Sequence, residues 1–585
     1  MKTNMSSMLN QWLTEAKADS PVWIDEVSRA CADDADCSRV IIEITAFNGE
    51  KRAYTRFFPS WTGADGERFV REYLCACVFN VLSAVGGSRL TIYHDPDNKP
   101  LSDLIDELNE IFQFRVPCRT GYGKPINEAD RICAFLLLPP FQMEKRSIAE
   151  YCPTEEREKN AECDLVEHLR QTAQSVNQGV HCGIDVGGTD IKLALAIDGD
   201  LVCTREYDWN PAEYDRAELL IEPILRLTRH MRVCAAEYLH SGALSETLKL
   251  ALDKATVDVE LADLLETEET KYSGSLDVLD SVGLSYPDVV LRDAIVGGET
   301  PKTQGMRNNS ALDYDIEFAK ITALKTALEA LCRAPGHVRV TNDGNMAAYT
   351  AAMELAHSER AESVGRGVLA HSLGTELGTG WLDASGDIPE MTLELYDCIV
   401  DLGSWPSREL SPLDLRCVRN ENSGLAGVRR YLGQAAVYRM AYAAQPALLD
   451  GFIERHGDVL AIRTEPEDMR KPCLEHIMTE AERGNTAAEE IFRQVGRNLA
   501  HVTRDAATLL RPETDTRFIF GRFVKRPRCF QLICEGFAEV EPRVTLTAAD
   551  SDLAYTKLML ALGASETATV AQFGQAVGAI YFGMT

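Results

Sequence analysis

Residues 183–192 read GIDVGGTDIK, which gathers Asp185, Gly187, Gly188, Thr189 and Lys192 into one short stretch. Anion binding is the chemistry open to such a stretch. Glycines let the backbone approach a ligand closely, and successive N–H groups can form a nest for phosphate oxygens. An aspartate beside that nest repels a bare phosphate and becomes compatible with one when a magnesium ion lies between them. Two further stretches carry comparable residues. In HVRVTND a strand ends at Asn342 and Asp343, just ahead of the helical NMAAYTAAMELAH. A carboxylate there is either a helix N-cap or a general base. In AHSLGTELGTGWLD, Gly374, Thr375, Gly378 and Gly380 punctuate a strand–turn–strand, which taken alone reads as a glycine hairpin.

The elements that must position these residues follow from pattern. NQGVHC supplies turn residues ahead of the first stretch, and LALAIDGDLVCTREY alternates and breaks at DGD, as a β-hairpin does. Downstream, VLDSVGLSYP, HVRVTND, GVLAHSLG and TRFIFG read as strands. ITALKTALEALCRA, NMAAYTAAMELAH and AAEEIFRQVGRNLAHVTRDAATLL read as helices. Strands alternating with helices predict α/β layers that bind ligands at the carboxyl ends of the strands. The first 142 residues read as a separate small α/β domain, with strands at SRVIIEITAF, RAYTRFFPS, SRLTIYHD and ICAFLLLPP. Its helices are GERFVREYLCACVFNVLSAV and LSDLIDELNEIFQF, and residues 143–178 read as a charged helical connector.

Composition limits the partners. With 60 Lys and Arg against 90 Asp and Glu, the net charge of −30 argues against nucleic acids and anionic membranes. No signal-type apolar segment opens the chain and no run approaches the ~20 apolar residues of a membrane span, so a cytoplasmic address is expected. The 17 cysteines scatter through apolar stretches, as buried reduced thiols do.

Taken in order, an acid-plus-glycine hairpin, a strand ending in Asn-Asp and a second Gly-Thr hairpin resemble the ROK family of sugar kinases and repressors, within the actin-like/hexokinase superfamily. DVGGTDIK is similar to the family's first phosphate motif, GLSYPD to its sugar-side loop with Asp288 for the last glycine, and TND to its catalytic Asn-Asp. SLGTELGTG resembles its second phosphate loop. LELYD resembles its sugar contact, with Glu394 kept and Asp397 in the histidine's place.

The resemblance covers residues 179–585, with a helical insertion at about 216–275. It implies a two-lobed ribonuclease-H-like (actin/hexokinase-type) kinase domain and ATP-dependent phosphorylation of a sugar hydroxyl. Asp343 would be the base, and Asn342, Glu394 and Asp397 would hold sugar hydroxyls. The phosphates would lie on Gly187, Gly188, Thr189, Lys192, Gly374, Thr375 and Gly378, with Gly521 in the nucleotide loop and Asp185 positioning Mg²⁺ through water. Homodimers are common in the family. The sequence departs from the pattern at further positions besides Asp288 and Asp397. Only Cys417 remains of the zinc-binding cysteines, so no zinc is expected, Glu376 stands for a phosphate-loop glycine, and Arg522 and Phe523 stand for glycines on the adenine side. Two rival readings stand beside this one, the first of them motivated by Glu376, Arg522 and the missing histidine. One is a catalytically impaired sugar-binding or regulatory protein. The other, less favoured, is a transcriptional repressor, which would need a basic DNA-binding face.

Overall fold

The computed structural model describes residues 5–153, 164–253, 258–548 and 553–585. They divide into two compact units. The first unit comprises residues 5–153, His371–Thr379 and Glu390–Ala548, and the second comprises residues 164–253, 258–370, Gly380–Pro389 and 553–585.

The chain opens with a sheet of four strands, β1 (Ser38–Thr45), β2 (Lys51–Phe58), β3 (Arg89–His94) and β4 (Gln142–Ser147), in the order β2-β1-β3-β4. β1 is central, and its run Val40–Ile44 is buried on both faces, which suits its β-branched residues. β4 replaces the first residues of the expected connector. It runs parallel to β3 at the sheet edge, where charged side chains stay in water, and its Lys145 pairs with Asp106. Residues 154–163 of that connector lie outside the described residues, and Leu165–Ser175 is helical.

ICAFLLLPP is not a strand. Residues Lys124–Phe135 form a helix that starts with Pro125, and buried Ile126, Ala129, Ile132 and Cys133 recur at helical spacing. The first 142 residues keep their own sheet but are not packed apart. Within the first unit, Tyr54 Oη donates to the carbonyl of Leu509 at 2.9 Å. Asn80, on the helix Gly63–Ala84, donates to the carbonyl of Ile399 at 2.8 Å and accepts from its N–H at 2.7 Å.

The second unit is built on β5 (Val180–Val186), β6 (Asp190–Ile197), β7 (Asp200–Asp208) and β8 (Ser281–Tyr286). The short hairpin β9 (Val290–Leu291) and β10 (Ala294–Ile295) precedes β11 (His337–Asn342). Its main sheet has the order β11-β8-β5-β6-β7. β5, β6 and β7 form an antiparallel meander, while β8 and β11 add in parallel beside β5, the mixed arrangement expected of a ribonuclease-H-like sheet. The β6–β7 turn needs two left-handed residues and has them in Asp198 (φ 48°) and Gly199 (φ 81°).

Gly183 and Gly283 are cross-strand partners of β5 and β8, and both lie against the helix Val570–Phe582. A Cβ on Gly183 would sit 1.9 Å from the carbonyl oxygen of Ala576, and one on Gly283 would sit 1.8 Å from that of Ala579. The first glycine of GIDVGG is therefore a packing glycine. Between β7 and β8 come helices Ala217–Ser241, Glu246–Asp253 and Asp258–Lys271, in the stretch read as an insertion, of which residues 254–257 lie outside the described residues.

Of the later strands, β12 (Val368–Leu373), β13 (Leu377–Leu382), β18 (Thr516–Phe520) and β19 (Thr545–Ala548) make a sheet of order β13-β12-β18-β19. β14 (Ile399–Asp401) pairs with β15 (Ala426–Gly427), and β16 (Ile453–His456) with β17 (Val459–Ile462). Among the described residues no helix is long and apolar enough to cross a membrane.

Candidate functional site

The candidate residues fall into two sets, one in each unit. In the second unit, β5, β8 and β11 run parallel side by side, with Asp185 registered on Ser285 and Ser285 on Thr341. Asp185, Ser285 and the Asn342-Asp343 pair therefore collect at one end of the sheet. Ser285 Oγ donates to Asp185 Oδ1 at 2.8 Å. Burial pushes the Asp185 carboxyl up to about 6; Ser285 and Lys192 oppose this, while the charges of Asp343 and Asp190 add to it. A carboxylate held against its preference among other acids is relieved by a cation. Among the described residues no group of three or more His, Cys, Asp or Glu could hold a metal ion. Magnesium fits this site as an ion that keeps waters and takes further oxygens from phosphate.

The β5–β6 turn is closed by Gly187 N–H donating to the carbonyl of Asp190 at 2.7 Å. Gly187, expected to donate to phosphate, spends its amide on the turn in this structure. It is glycine because a Cβ would lie 2.6 Å from Asp190 Oδ1. The N–H groups of Gly188 and Thr189 have no protein partner among the described residues. Among the described residues the only neighbour a Cβ on Gly188 would meet is Lys302 Cε, at 3.9 Å, so the backbone is open to a ligand. Lys192 pairs with Asp190 and lies 3.7 Å from Glu206 Oε1. Trp209, which the sequence reading missed, ties the turn down. Its backbone N–H donates to the carbonyl of Thr189 at 3.0 Å and its Nε1 to that of Gly187 at 3.1 Å.

Helix Asp343–Ala356 is capped by Asn342, whose Oδ1 accepts from Gly344 N at 2.8 Å. Asn342 Nδ2 donates to the carbonyl of Asp288 at 2.9 Å. Asn342 is thus occupied inside the protein at both ends, tying the head of this helix to the Asp288 loop. Asp343 Oδ1 also accepts from Gly344 N, at 2.9 Å, and its carboxylate is half-buried. Asp288, in the place of the loop's last glycine, is buried and accepts from Val289 N at 2.7 Å and Gly298 N at 2.9 Å. It shapes the loop from within.

In the first unit, the 374–376 loop follows β12. Gly374 N–H donates to the carbonyl of Glu376 at 3.3 Å, and the carbonyl of Gly374 accepts from Gln434 N at 3.1 Å. A Cβ on Gly433 would lie 2.5 Å from the carbonyl oxygen of Thr375, so the loop sits on the start of helix Gln434–Ala444. Glu376 does not stand alone: it pairs with Arg429. Burial opposes the charge on Arg429, but Glu376 and Asp397 outweigh it and raise its pKa. A Cβ on Gly378 would lie 3.4 Å from Ser372 Cβ, an ordinary contact, so no packing demand requires glycine there. Gly521 is at φ 97°, and a Cβ there would lie 2.3 Å from the carbonyl oxygen of Leu373, so its glycine serves the approach of two strand ends.

Thr392, Leu393 and Glu394 bond through their backbone N–H groups to the carbonyls of Val85, Ala84 and Ser83, at the end of helix Gly63–Ala84. Glu394 is therefore positioned by the N-terminal segment. Asp397 accepts from Asn420 Nδ2 at 3.1 Å and from Asn422 Nδ2 at 2.8 Å. Burial raises its pKa, and Arg429 draws it back. The two asparagines lie where the family resemblance puts its zinc loop, and sequence reading had no signal for them. Arg522 Nε lies 3.8 Å from Glu475 Oε1. Phe523 is fully buried and packs edge-on against Phe492 at 6.2 Å, so it belongs to the core.

No protein-family model matches the chain, and no curated protein sequence matches it. Its structural neighbours are ROK family proteins. It is similar to a ROK family glucokinase from Streptomyces griseus in complex with glucose and AMPPNP, at 18% identity over 69% of this chain and 99% of that one, TM-score 0.37. It is similar to a ROK hexokinase from Thermus thermophilus, at 15% identity over 69% of this chain and 97% of that one, TM-score 0.37. A third is a ROK family transcriptional regulator described as a homolog of an E. coli protein, at 14% identity over 69% of this chain and 80% of that one, TM-score 0.37.

Proposed function

We propose that the protein is an ATP-dependent sugar kinase of ROK type, with its chemistry in residues 179–585 and residues 1–178 assigned to no step of it. The observation that carries this reading is the division of labour at the head of helix Asp343–Ala356. Asn342 provides the cap and Asp343 only shares its Gly344 N–H through Oδ1, which leaves Oδ2 of the carboxylate for other work, and the group lies close enough to Asp185 to raise that residue's pKa.

Asp343 accepts the proton of a sugar hydroxyl as that oxygen attacks a phosphoryl group. Asp185, held by Ser285, orients a hydrated magnesium ion. The N–H groups of Gly188 and Thr189 donate to phosphate oxygens, with Thr375 assigned the same task in the other set, where the Gly374 amide is taken up by the carbonyl of Glu376. Glu394 and Asp397 accept hydrogen bonds from sugar hydroxyls. Magnesium-bound ATP supplies the phosphoryl group and spreads the charge that develops on it.

Sugar-dependent release of ADP across a panel of hexoses and hexose derivatives tests the proposal. Wild-type protein that binds a sugar and turns over none of them would favour the second reading, a sugar-binding regulatory protein. The Glu376–Arg429 pair at the phosphate loop is the feature that keeps that second reading in view.

A further inference from the structure

The first unit contains a cavity of about 430 Å³ in which none of the candidate site residues takes part. Its walls come from the N-terminal helix Ile24–Ala32 (Asp25, Arg29), from helix Thr486–Leu510 (Thr503, Asp505) and from the strand β18 (Arg517). Arg504, Arg511 and Arg543 also line the cavity, so that with Arg29 and Arg517 its guanidinium groups slightly outnumber the carboxylates of Asp25, Asp505, Asp515 and Glu541, in a protein whose net charge is −30.

Most of the charges here are matched. Asp25 accepts from His501 Nδ1 at 2.9 Å and from Arg29 Nη2 at 3.3 Å. Glu541 takes Arg504 Nε at 2.8 Å and Arg543 Nε at 2.9 Å. Asp505 Oδ2 accepts from Asn80 Nδ2 at 3.1 Å.

Two wall groups are not matched. Arg517 is 3% exposed, and its Nη1 donates only to the carbonyls of Thr514 and Thr516, at 2.7 and 3.1 Å. Among the described residues it has no carboxylate partner within ion-pair distance. Burying this cation is costly and lowers its pKa to about 10, and the nearby charges of Asp515 and Glu541, neither in direct ion-pair contact, offset that only in part. Thr503 is 2% exposed, and its hydroxyl has no hydrogen-bond partner among the described residues. A buried cation with no carboxylate in direct contact and a buried unpaired hydroxyl lining the same cavity together fit an anionic oxygen.

We infer that this cavity binds a small phosphate-bearing molecule, whose phosphate oxygens pair with Arg517 and accept from the Thr503 hydroxyl. The inference does not depend on the kinase reading. Phosphate pairs bidentately with a guanidinium, and the volume exceeds that of a bare phosphate ion, leaving room for an ester group within reach of the wall carboxylates. Arg517 also lies close enough to the buried His371 of β12 for its charge to lower the pKa of that imidazole, so an occupied cavity would be felt on the strand that leads into the 374–376 loop.

Calorimetric titration of the full chain with inorganic phosphate, glucose 6-phosphate and glucose tests this. The two phosphates are expected to bind through the cavity, and the tighter of them tells free phosphate from an ester. Arg517→Met should weaken that binding by about tenfold or more and the near-isosteric Thr503→Val by about three- to tenfold, the scale of charged and neutral hydrogen bonds. Asp343→Asn should leave it unchanged. If Arg517→Met does not fold, Thr503→Val carries the test. No binding of either phosphate, equal affinities in wild type and both variants, or binding lost in Asp343→Asn instead would overturn the inference.

Discussion

Arg429 and Glu376 are ion-paired in the first unit, with the guanidinium over the ring of Tyr396 at 5.8 Å. The glutamate that interrupts the Gly-Thr loop thus carries its own counter-charge, and the guanidinium it holds is a ready phosphate ligand. Removing the glutamate's charge should free that guanidinium. Glu376→Gln is expected to tighten Mg-ATP binding by roughly three- to tenfold, the scale of one charge a few ångströms away in a partly screened site. Arg429→Met should loosen it. Calorimetry on both variants checks this. Weaker binding in Glu376→Gln would assign the carboxylate a direct part in holding the metal.

Asp185 gives a prediction about pH. Its folded-state pKa, about 6, lies above the ordinary carboxyl value of 3.8, so the folded protein binds the extra proton between those values. Stability from this group is therefore lost as pH rises from about 3.8 to 6, and the full penalty stands above 6. Asp185→Asn, which can still accept from Ser285, should be the more stable protein at neutral pH, on the order of 1–2 kcal/mol after allowing for partial solvent exposure. The same variant should lose most of its magnesium-dependent nucleotide binding. A variant no more stable than wild type at pH 8 would show that the carboxylate is better solvated than its surroundings suggest.

Gly283→Ala tests the approach of helix Val570–Phe582 to the sheet. The new methyl would meet the carbonyl oxygen of Ala579 at 1.8 Å, and backbone cannot swing away as a side chain can. Overpacking of this kind costs roughly 1–3 kcal/mol, read as a lower denaturation midpoint at unchanged slope. Gly188→Ala, at an open turn position, should be near neutral for stability while reducing nucleotide affinity.

Local pattern made the central sheet of the second unit legible. Alternation and the DGD break located β6 and β7, and Asn-Asp ahead of an alanine-rich run located the end of β11. ICAFLLLPP misled because a short apolar run fits a buried helix as well as a strand, and Pro125, ten residues before the end of its helix, was the available signal. The rest depended on distance along the chain. Asn80 satisfies Ile399 across 319 residues, and Trp209 closes a turn 22 residues behind it. No periodicity predicts either partner. The asparagines that hold Asp397 were hidden for the same reason, since their meaning depends on where the loop returns.

The enzyme reading rests finally on Asn342 and Asp343, and the structure separates their substitutions. Asn342 Oδ1 is the cap and its Nδ2 holds the Asp288 carbonyl, so Asn342→Ala should cost about 1 kcal/mol or more of stability, the usual cost of a lost cap. Asp343→Asn keeps the size of the side chain and leaves that cap untouched, so its melting temperature should stay near wild type. Its amide cannot take a proton at neutral pH. Sugar-dependent ADP release should therefore fall by about a hundredfold or more, while sugar affinity, set by neighbouring hydrogen bonds, survives. Measuring turnover, affinity and stability on both variants distinguishes the roles. An Asp343→Asn protein that turns over at near the wild-type rate would remove Asp343 as the base and the kinase mechanism with it.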